Sequence, residues 1–157
     1  MAVAVQSTRA HARAPAYRRL LVPVVDNAVS LRAVEVACRL AADRHASLEV
    51  LSVIEVPPLL PLEAHMLDEE VAAHRLLERA EAIADLRGVP VSVRLVRARD
   101  AGSAIAELVD GSAAELVVLG AERRARGGLG STVRHVLAKS RCRVMLLSAT
   151  SPAEPGT

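Results

Sequence analysis

Residues 115–133 read ELVVLGAERRARGGLGSTV and contain the signals of a strand, a loop and a helix start, in that order. The segment 115–119 is almost continuously apolar, as is typical of a strand covered on both faces of a parallel sheet. The glycines and arginines of 120–130 predict a loop. Thr132 to Ser140 then predicts a helix. A central strand followed by a helix indicates an α/β fold.

Strand and helix signals alternate through the rest of the chain. Apolar or alternating runs predict four further strands, at 18–25, 47–56, 89–97 and 142–148. Helical spacing of apolar residues predicts three further helices, at 31–44, 67–84 and 103–110, with Ser30 as the N-cap of the first. We therefore predict one α/β domain: a doubly wound, mostly parallel, five-stranded sheet of order 3-2-1-4-5 with four helices.

Both ends of the chain lack these signals. Residues 1–16 are rich in Ala, contain Arg and no acidic residue, and have no apolar stretch typical of a secretory signal. Residues 150–157 contain two prolines and a glycine. We therefore predict flexible tails at 1–16 and 150–157 that flank a domain at 17–149.

Aromatic side chains are almost absent from the chain. It contains one tyrosine, Tyr17, and neither Phe nor Trp. Nucleic-acid modules that stack bases on aromatic platforms are thereby excluded, as are aromatic cages for quaternary ammonium ions. Any purine bound here must lie between aliphatic side chains and backbone.

The two cysteines and the hydropathy of the chain indicate the cellular compartment of the protein. Cys38 and Cys142 both lie in apolar surroundings, which favours buried, reduced thiols over a disulfide framework. The chain contains no apolar run of 18 residues, so no membrane span is expected. We predict a cytoplasmic protein that binds neither membrane nor nucleic acid.

Positive charge is concentrated late in the chain, although the formal net charge is only +2. Residues 123–143 contain seven basic residues and no acidic one. Such a run favours a small anionic ligand, and a solvated basic face is the alternative. The basic residues are Arg123, Arg124, Arg126, Arg134, Lys139, Arg141 and Arg143.

The predicted topology points to the same region. In a sheet of order 3-2-1-4-5 the winding reverses between the first and fourth strands, and ligands bind outside the carboxyl ends of the strands at that point. The loops 24–30 and 120–132 should therefore line a crevice. A Gly-rich loop that enters a helix has the backbone N–H groups of a phosphate site, although an ordinary flexible loop would look the same. The loop matches neither a Walker A motif nor the dinucleotide fingerprint.

The order of these pieces resembles the universal stress protein family from about Arg18 to Ser148. The resemblance rests on a Val-Pro-Val strand, an Ala-rich helix after a Ser, a strand that ends in Gly, a Gly-Ser-Thr helix start and a cysteine-containing entry to the last strand. These correspond to Val22-Pro23-Val24, Ser30, Ala33-Val34, Ala37, Leu119-Gly120, Gly130-Ser131-Thr132-Val133 and Ser140-Arg141-Cys142-Arg143-Val144.

This resemblance implies a Rossmann-like, cytosolic and often dimeric protein. Many family members bind ATP across the ends of the first and fourth strands, and Mg²⁺ would be held only through the nucleotide phosphates. The residues Gly120 and 130–133 would then hold phosphate and ribose. Pro23, Val24 and the backbone of Val53 would border the base. A homodimer is expected through the last strand, at Val144–Leu147.

The sequence departs from the family motif in three places. Val25 stands where the family has a base-contacting Asp, and Asp26 follows one residue later. Arg123 stands at the second motif Gly, and Gly120 and Gly130 are ten positions apart, three fewer than in the motif. Arginines of the shortened loop could replace lost backbone contacts as charged donors. The candidate binding residues are Pro23, Val24, Asp26, Val53, Leu119, Gly120, Arg123, Arg124, Gly127, Gly130, Ser131, Thr132 and Val133.

The resulting hypothesis is a regulatory stress-response protein that binds an adenine nucleotide, ATP, and signals to an unknown protein partner. Its five histidines are scattered without metal-site or catalytic spacing, so no enzymatic activity is predicted, with slow ATP hydrolysis as the alternative left open. One alternative is a dimeric interaction module without nucleotide that docks through the Pro-rich segment 57–61. Another is a sensor of a different anionic ligand, such as a cyclic dinucleotide.

Overall fold

The computed structural model describes residues 17–123 and 128–150. Strands and helices alternate strictly through these two ranges. The elements are β1 (Arg19–Pro23), α1 (Ala28–Arg44), β2 (Ser47–Glu55), α2 (Leu67–Leu86), β3 (Val91–Ala98), α3 (Ala101–Gly111), β4 (Leu116–Arg123), α4 (Ser131–Lys139) and β5 (Arg143–Thr150).

The strands form one sheet in the order β3-β2-β1-β4-β5, and every neighbouring pair is parallel. The predicted fold class, strand order and helix number are thereby confirmed. All carboxyl ends of the strands lie at the same edge of the sheet, which is the edge where the four helices begin. None of the helices in the described ranges is both long and apolar enough to cross a membrane.

The core is aliphatic and lies on both faces of the sheet. On one face, Leu20 and Val22 of β1 pack in a cluster with Ala33 and Ala37 of α1. On the other face, Leu21 of β1 packs in a cluster that includes side chains of α3 and α4. Because alanines line the buried side of α1, this helix can approach the sheet closely and the core needs no aromatic side chain.

Two helix starts differ from the prediction. The N-cap of α1 is Asn27, not Ser30: the Asn27 Oδ1 accepts a hydrogen bond from the Ser30 backbone N–H at 2.7 Å. Helix α3 begins at Ala101, two residues before the predicted start, since the Asp100 carboxylate accepts from the Ser103 N–H at 2.7 Å. In both cases an Asn or Asp with an extended backbone accepts, through its side chain, a hydrogen bond from a backbone N–H of the first turn and so determines where the helix begins.

The end of β4 also differs from the prediction. Residues 120–123 were expected in a loop, but β4 continues to Arg123. The reason is pairing with β5, whose register runs to Glu122↔Ala149 and Arg123↔Thr150. Backbone hydrogen bonds along this ladder outweigh the loop preference of Gly120 and its neighbours.

Candidate functional site

A crevice opens where β1 and β4 part at the carboxyl edge of the sheet. The two strands pair only at Leu20↔Leu116 and Leu21↔Val117. Strand β1 then ends at Pro23 and the chain turns into α1, whereas β4 continues along β5. The result is a cavity of about 530 Å³ at the predicted point of reversal in the winding.

Eight of the thirteen predicted binding residues line this cavity together. They come from the end of β1, from β2, from β4 and from the start of α4. They are Pro23, Val24, Val53, Leu119, Gly120, Gly130, Thr132 and Val133.

Five predicted residues are placed elsewhere or lie outside the described ranges. Asp26 is exposed and faces Arg79, with 3.5 Å between carboxylate and guanidinium, and it does not line the cavity. Arg123 is the exposed last residue of β4, and Ser131 is exposed at the start of α4; neither lines the cavity. Arg124 and Gly127 lie outside the described residues.

The wall also contains nine residues that are not among the thirteen predicted binding residues, although five of them lie in the loops 24–30 and 120–132 that were predicted to line the crevice. Several belong to α1, to the end of β2 and to α3, whose contribution to the crevice depends on how the helices pack. These residues are Val25, Asn27, Ser30, Leu51, Glu55, Ala101, Ile105, Ala121 and Glu122. The N-cap signals at Asn27 and Asp100 could have indicated that α1 and α3 begin at this edge.

The backbone of Val53 is free to face the crevice. The Leu51 carbonyl accepts from the Val24 N–H at 2.8 Å, so the backbone of Leu51 is turned toward β1. Backbone orientation repeats every second residue in a strand, so the N–H and C=O of Val53 point the same way. The β1 register ends at Pro23↔Leu51, which leaves Val53 without a partner residue on β1.

Gly120 of β4 packs directly against the first turn of α1. A Cβ placed on Gly120 would lie 2.6 Å from the Val29 carbonyl oxygen and 2.8 Å from the Ser30 nitrogen. The first turn of α1 can therefore pack against β4 only because this residue has no side chain. The Ser30 hydroxyl is buried beneath this turn and accepts from the Val25 N–H at 3.1 Å.

Three helices begin at the cavity, and their N-termini differ in capping. The first turn of α1 is capped by Asn27. The first turn of α3 is capped by Asp100, and the Glu55 carboxylate additionally accepts from the Ala101 N–H at 2.9 Å. Helix α4, which begins after Gly130, has no side-chain cap. Since free N–H groups and the helix dipole both favour an anion, the start of α4 is the most favourable place in the cavity for a phosphate.

The charged side chains on the cavity wall are acidic. Glu55 lies at the α3 side, and Glu122 lies near the end of β4. No Lys or Arg among the described residues lines the cavity. The hydrogen bonds from Ser103 hold the pKa of the Asp100 carboxyl below its usual range, which keeps this cap of α3 ionised. A phosphate would thus be repelled from the α3 side and attracted to α4.

Metal and thiol chemistry find little support in the described residues. No group of three or more His, Cys, Asp or Glu side chains within 17–123 and 128–150 could hold a metal ion. Burial raises the pKa of both thiols, Cys38 and Cys142, so both stay protonated at neutral pH. Neither cysteine lines the cavity.

Comparison with solved structures supports the fold assignment. A universal stress protein family member from Burkholderia pseudomallei is 26% identical, with a TM-score of 0.67 over 85% of this chain and 97% of that one. A universal stress protein solved in complex with cAMP is 22% identical, with a TM-score of 0.68 over 85% of this chain and 98% of that one. A universal stress protein from Archaeoglobus fulgidus solved in complex with dAMP is 19% identical, with a TM-score of 0.68 over 84% of this chain and 98% of that one.

Comparison with protein-family models identifies the family to which the chain belongs. No curated protein matches the chain. The model of the universal stress protein family, in contrast, matches residues 16–148, which is most of the sequence. The predicted resemblance is thereby confirmed, and the chain belongs to the universal stress protein family.

Proposed function

We propose that this protein binds an adenine nucleotide in the crevice between β1 and β4. The proposal rests on one observation: the same cavity contains the backbone of Val53, which has no partner residue on β1, and the start of α4, which has no side-chain cap. Two structural relatives were solved with the adenine nucleotides cAMP and dAMP, which supports the choice of ligand class.

The base would lie between aliphatic side chains and form hydrogen bonds with the backbone of β2 at Val53. Val24, Val53 and Leu119 line the cavity and offer apolar surface to both faces of a purine. The N–H and C=O of Val53 present one donor and one acceptor side by side. Adenine offers the matching acceptor at N1 and donor at its N6 amino group. Guanine has an acceptor at O6 and a donor at N1–H in the same two places, so a guanine in the same orientation would face this backbone edge with both groups mismatched.

The phosphate would lie at the start of α4, against the N–H groups that follow Gly130 and the hydroxyl of Thr132. We propose ATP as the ligand, with Mg²⁺ held only through its phosphates. Ser131, Arg123, Arg124 and Gly127 stay proposed contacts of the outer phosphates. Asp26 would contact the base only if its pair with Arg79 opens. Without an aromatic ring to stack on the base, much of the binding free energy has to come from this end.

Signalling would follow from occupancy of the crevice. A phosphate at the start of α4 would change the charge and shape of the surface that this edge of the sheet offers to a regulatory protein partner. We further propose a cytoplasmic homodimer through β5, without catalytic activity. This strand is an edge of the sheet, and the apolar side chains of Val144–Leu147 are only partly buried, so a second copy would cover them.

Calorimetric titration tests the proposal directly. ATP, ADP and AMP, each with and without Mg²⁺, should bind, and GMP should bind at least about tenfold more weakly than AMP. Equal affinity for AMP and GMP would exclude base recognition by Val53. Failure of every adenine nucleotide to bind would exclude the proposed function.

A charge variant tests the phosphate position separately. Thr132→Glu places a carboxylate at the start of α4, where it stabilises the helix but competes with the phosphate. We expect AMP affinity to fall by at least about tenfold, since hydrogen bonds to a charged group contribute roughly 1.5–3 kcal/mol. Ala138→Glu adds the same charge at an exposed position near the other end of α4 and should change the affinity little. Equal affinities of the two variants would refute the phosphate position.

A further inference from the structure

The connection between β2 and α2 presents an exposed apolar segment. Residues 57–62 read PPLLPL, and all six are exposed. The side chain of Leu59 is 97% exposed, more than any other large apolar residue described. Six consecutive exposed apolar residues are unusual on a protein surface and are typical of an interaction site.

This segment is folded into two consecutive turns. The Leu60 N–H donates to the Pro57 carbonyl at 3.0 Å, and the Ala64 N–H donates to the Pro61 carbonyl at 3.0 Å. Each bond closes a four-residue turn. The turns are incompatible with the extended polyproline helix in which Pro-rich ligands bind aromatic-lined grooves. The segment is instead a compact apolar knob, which we define as residues 57–62.

The knob is held from below by two arginines at the end of β3. The Arg99 guanidinium donates to the carbonyls of Val56, at 3.1 Å, and Pro57. Arg97 donates to the Ala64 carbonyl and to the Glu70 carboxylate. These bonds fix the base of the knob on both sides without covering Leu59. Its shape therefore does not depend on burial of its own apolar side chains, and docking would cost little conformational entropy.

The chain on either side of the knob is acidic, and the two arginines beneath the knob are bonded to the Glu70 carboxylate and to backbone carbonyls. Residues 45–74 contain six Asp or Glu and no Lys or Arg. Glu63, Asp68 and Glu69 are exposed close to the knob in sequence. Such a surface repels anionic lipid headgroups and attracts a cationic protein surface.

We propose that the knob is a docking element for a partner protein that presents an apolar cleft rimmed by Lys or Arg. Leu59 would enter the cleft, and the acidic residues around the knob would face its basic rim. This proposal does not rest on the proposed nucleotide binding, and its test needs no nucleotide.

Peptide binding tests the knob with defined probes. The first probe is a fluorescein-labelled helical-hairpin peptide whose two helices leave a leucine-lined groove between two rows of lysine, and the second is the same hairpin with glutamate in place of lysine. The full chain should bind the lysine peptide more tightly, with an affinity that falls as salt is raised. Equal binding of both peptides would overturn the proposed charge complementarity.

Matched variants locate the binding. Leu59→Ser should weaken binding of the lysine peptide by about tenfold or more, as expected for loss of one buried leucine. Leu86→Ser makes the same change at a leucine that is 89% exposed at the end of α2, and should leave the affinity within about twofold. Equal effects of the two substitutions would overturn the proposal.

A second pair of variants tests the anchoring. Arg99→Met releases the base of the knob and should weaken binding by several-fold. Arg94→Met, on the preceding strand β3, breaks the ion pair with Glu49 and should have no effect. If both behave like the unmodified chain, the knob is not preorganised and the argument from its anchoring fails.

Two further measurements distinguish other occupants. If Leu59→Ser changes the mass determined by light scattering, the knob is covered by a second copy of this chain. If Leu59→Ser abolishes binding to phosphatidylcholine–phosphatidylglycerol vesicles, it inserts into lipid. Either result would overturn the proposed protein partner, and an unchanged mass without vesicle binding supports it.

Discussion

Gly120→Ala is the substitution for which the structure makes the sharpest prediction. The new Cβ would lie 2.6 Å from the Val29 carbonyl oxygen, 2.7 Å from its carbon and 2.8 Å from the Ser30 nitrogen. All three atoms belong to backbone, so no side chain can rotate away. The first turn of α1 has to move from β4 by roughly 0.6–0.8 Å to restore an ordinary van der Waals distance, estimated from the close-packed contacts of protein interiors.

The expected cost follows from this overpacking. Forcing extra volume into a close-packed contact costs about 1–3 kcal/mol of unfolding free energy. For a chain of this size that corresponds to a fall in Tm of roughly 3–10 °C. Ser30, on the displaced turn, also lines the crevice, so we expect AMP affinity to fall in the same variant.

Urea unfolding followed by circular dichroism measures the first effect, and calorimetry measures the second. Gly111→Ala, at the end of α3, is the matched control because its new Cβ meets no atom within 4 Å. This control should unfold at the same or slightly higher urea concentration, since alanine restricts the unfolded chain. If Gly120→Ala unfolds at the same urea concentration as the unmodified protein, the packing argument for Gly120 is wrong.

Three other predictions concern stability and reactivity. Asn27→Ala removes the α1 cap and should lower the unfolding free energy by about 1 kcal/mol; an unchanged urea midpoint would contradict the capping assignment. The hydrogen bond from Arg97 lowers the pKa of the Glu70 carboxyl in the folded protein. The stabilisation that this bond gives to the fold is therefore complete above the pKa of Glu70 in the unfolded chain, and it is lost as pH falls through the lower pKa of Glu70 in the folded protein. The advantage of the unmodified protein over Glu70→Gln in thermal melts should therefore be full near pH 7 and shrink below about pH 4; a constant difference would argue against this bond. Cys38 is buried with a raised pKa, so a thiol reagent should label it only at the rate of unfolding, and rapid labelling of Cys38 in the native protein would show that the core is open there.

Local patterns predicted most elements because their signals are strong and short in range. The apolar run at 115–119 and the helical spacing in 31–44 each indicate one type of element. The cap residues were harder to assign, since Asn27 and Ser30 are both good caps and only the backbone geometry selects Asn27. The end of β4 was missed because its length depends on pairing with β5, about 25 residues later in the chain.

In the candidate site, too, the residues with local sequence signals were predictable and those placed by tertiary packing were not. Gly120 and Gly130 stood out because glycine and helix-start signals are local, and both line the cavity. The arginines are placed less directly: Arg123 lies at the exposed end of β4, outside the cavity wall, so its predicted role as a phosphate donor stays a prediction. Glu55 and Ala101 carry no local signal, and they meet only because β2 and α3 end and begin at the same edge.

The sequence by itself determined the alternation of strands and helices, the family, and the two loops that meet at the crevice, since these depend on patterns between neighbouring residues. Only the tertiary structure decided which backbone groups are free at that crevice. The early end of β1 leaves Val53 without a partner residue, and the absence of a side-chain cap leaves the start of α4 open. Hydrogen-bond partners of backbone groups are chosen by elements far apart in the chain, so no local pattern can specify which of them stay unpaired.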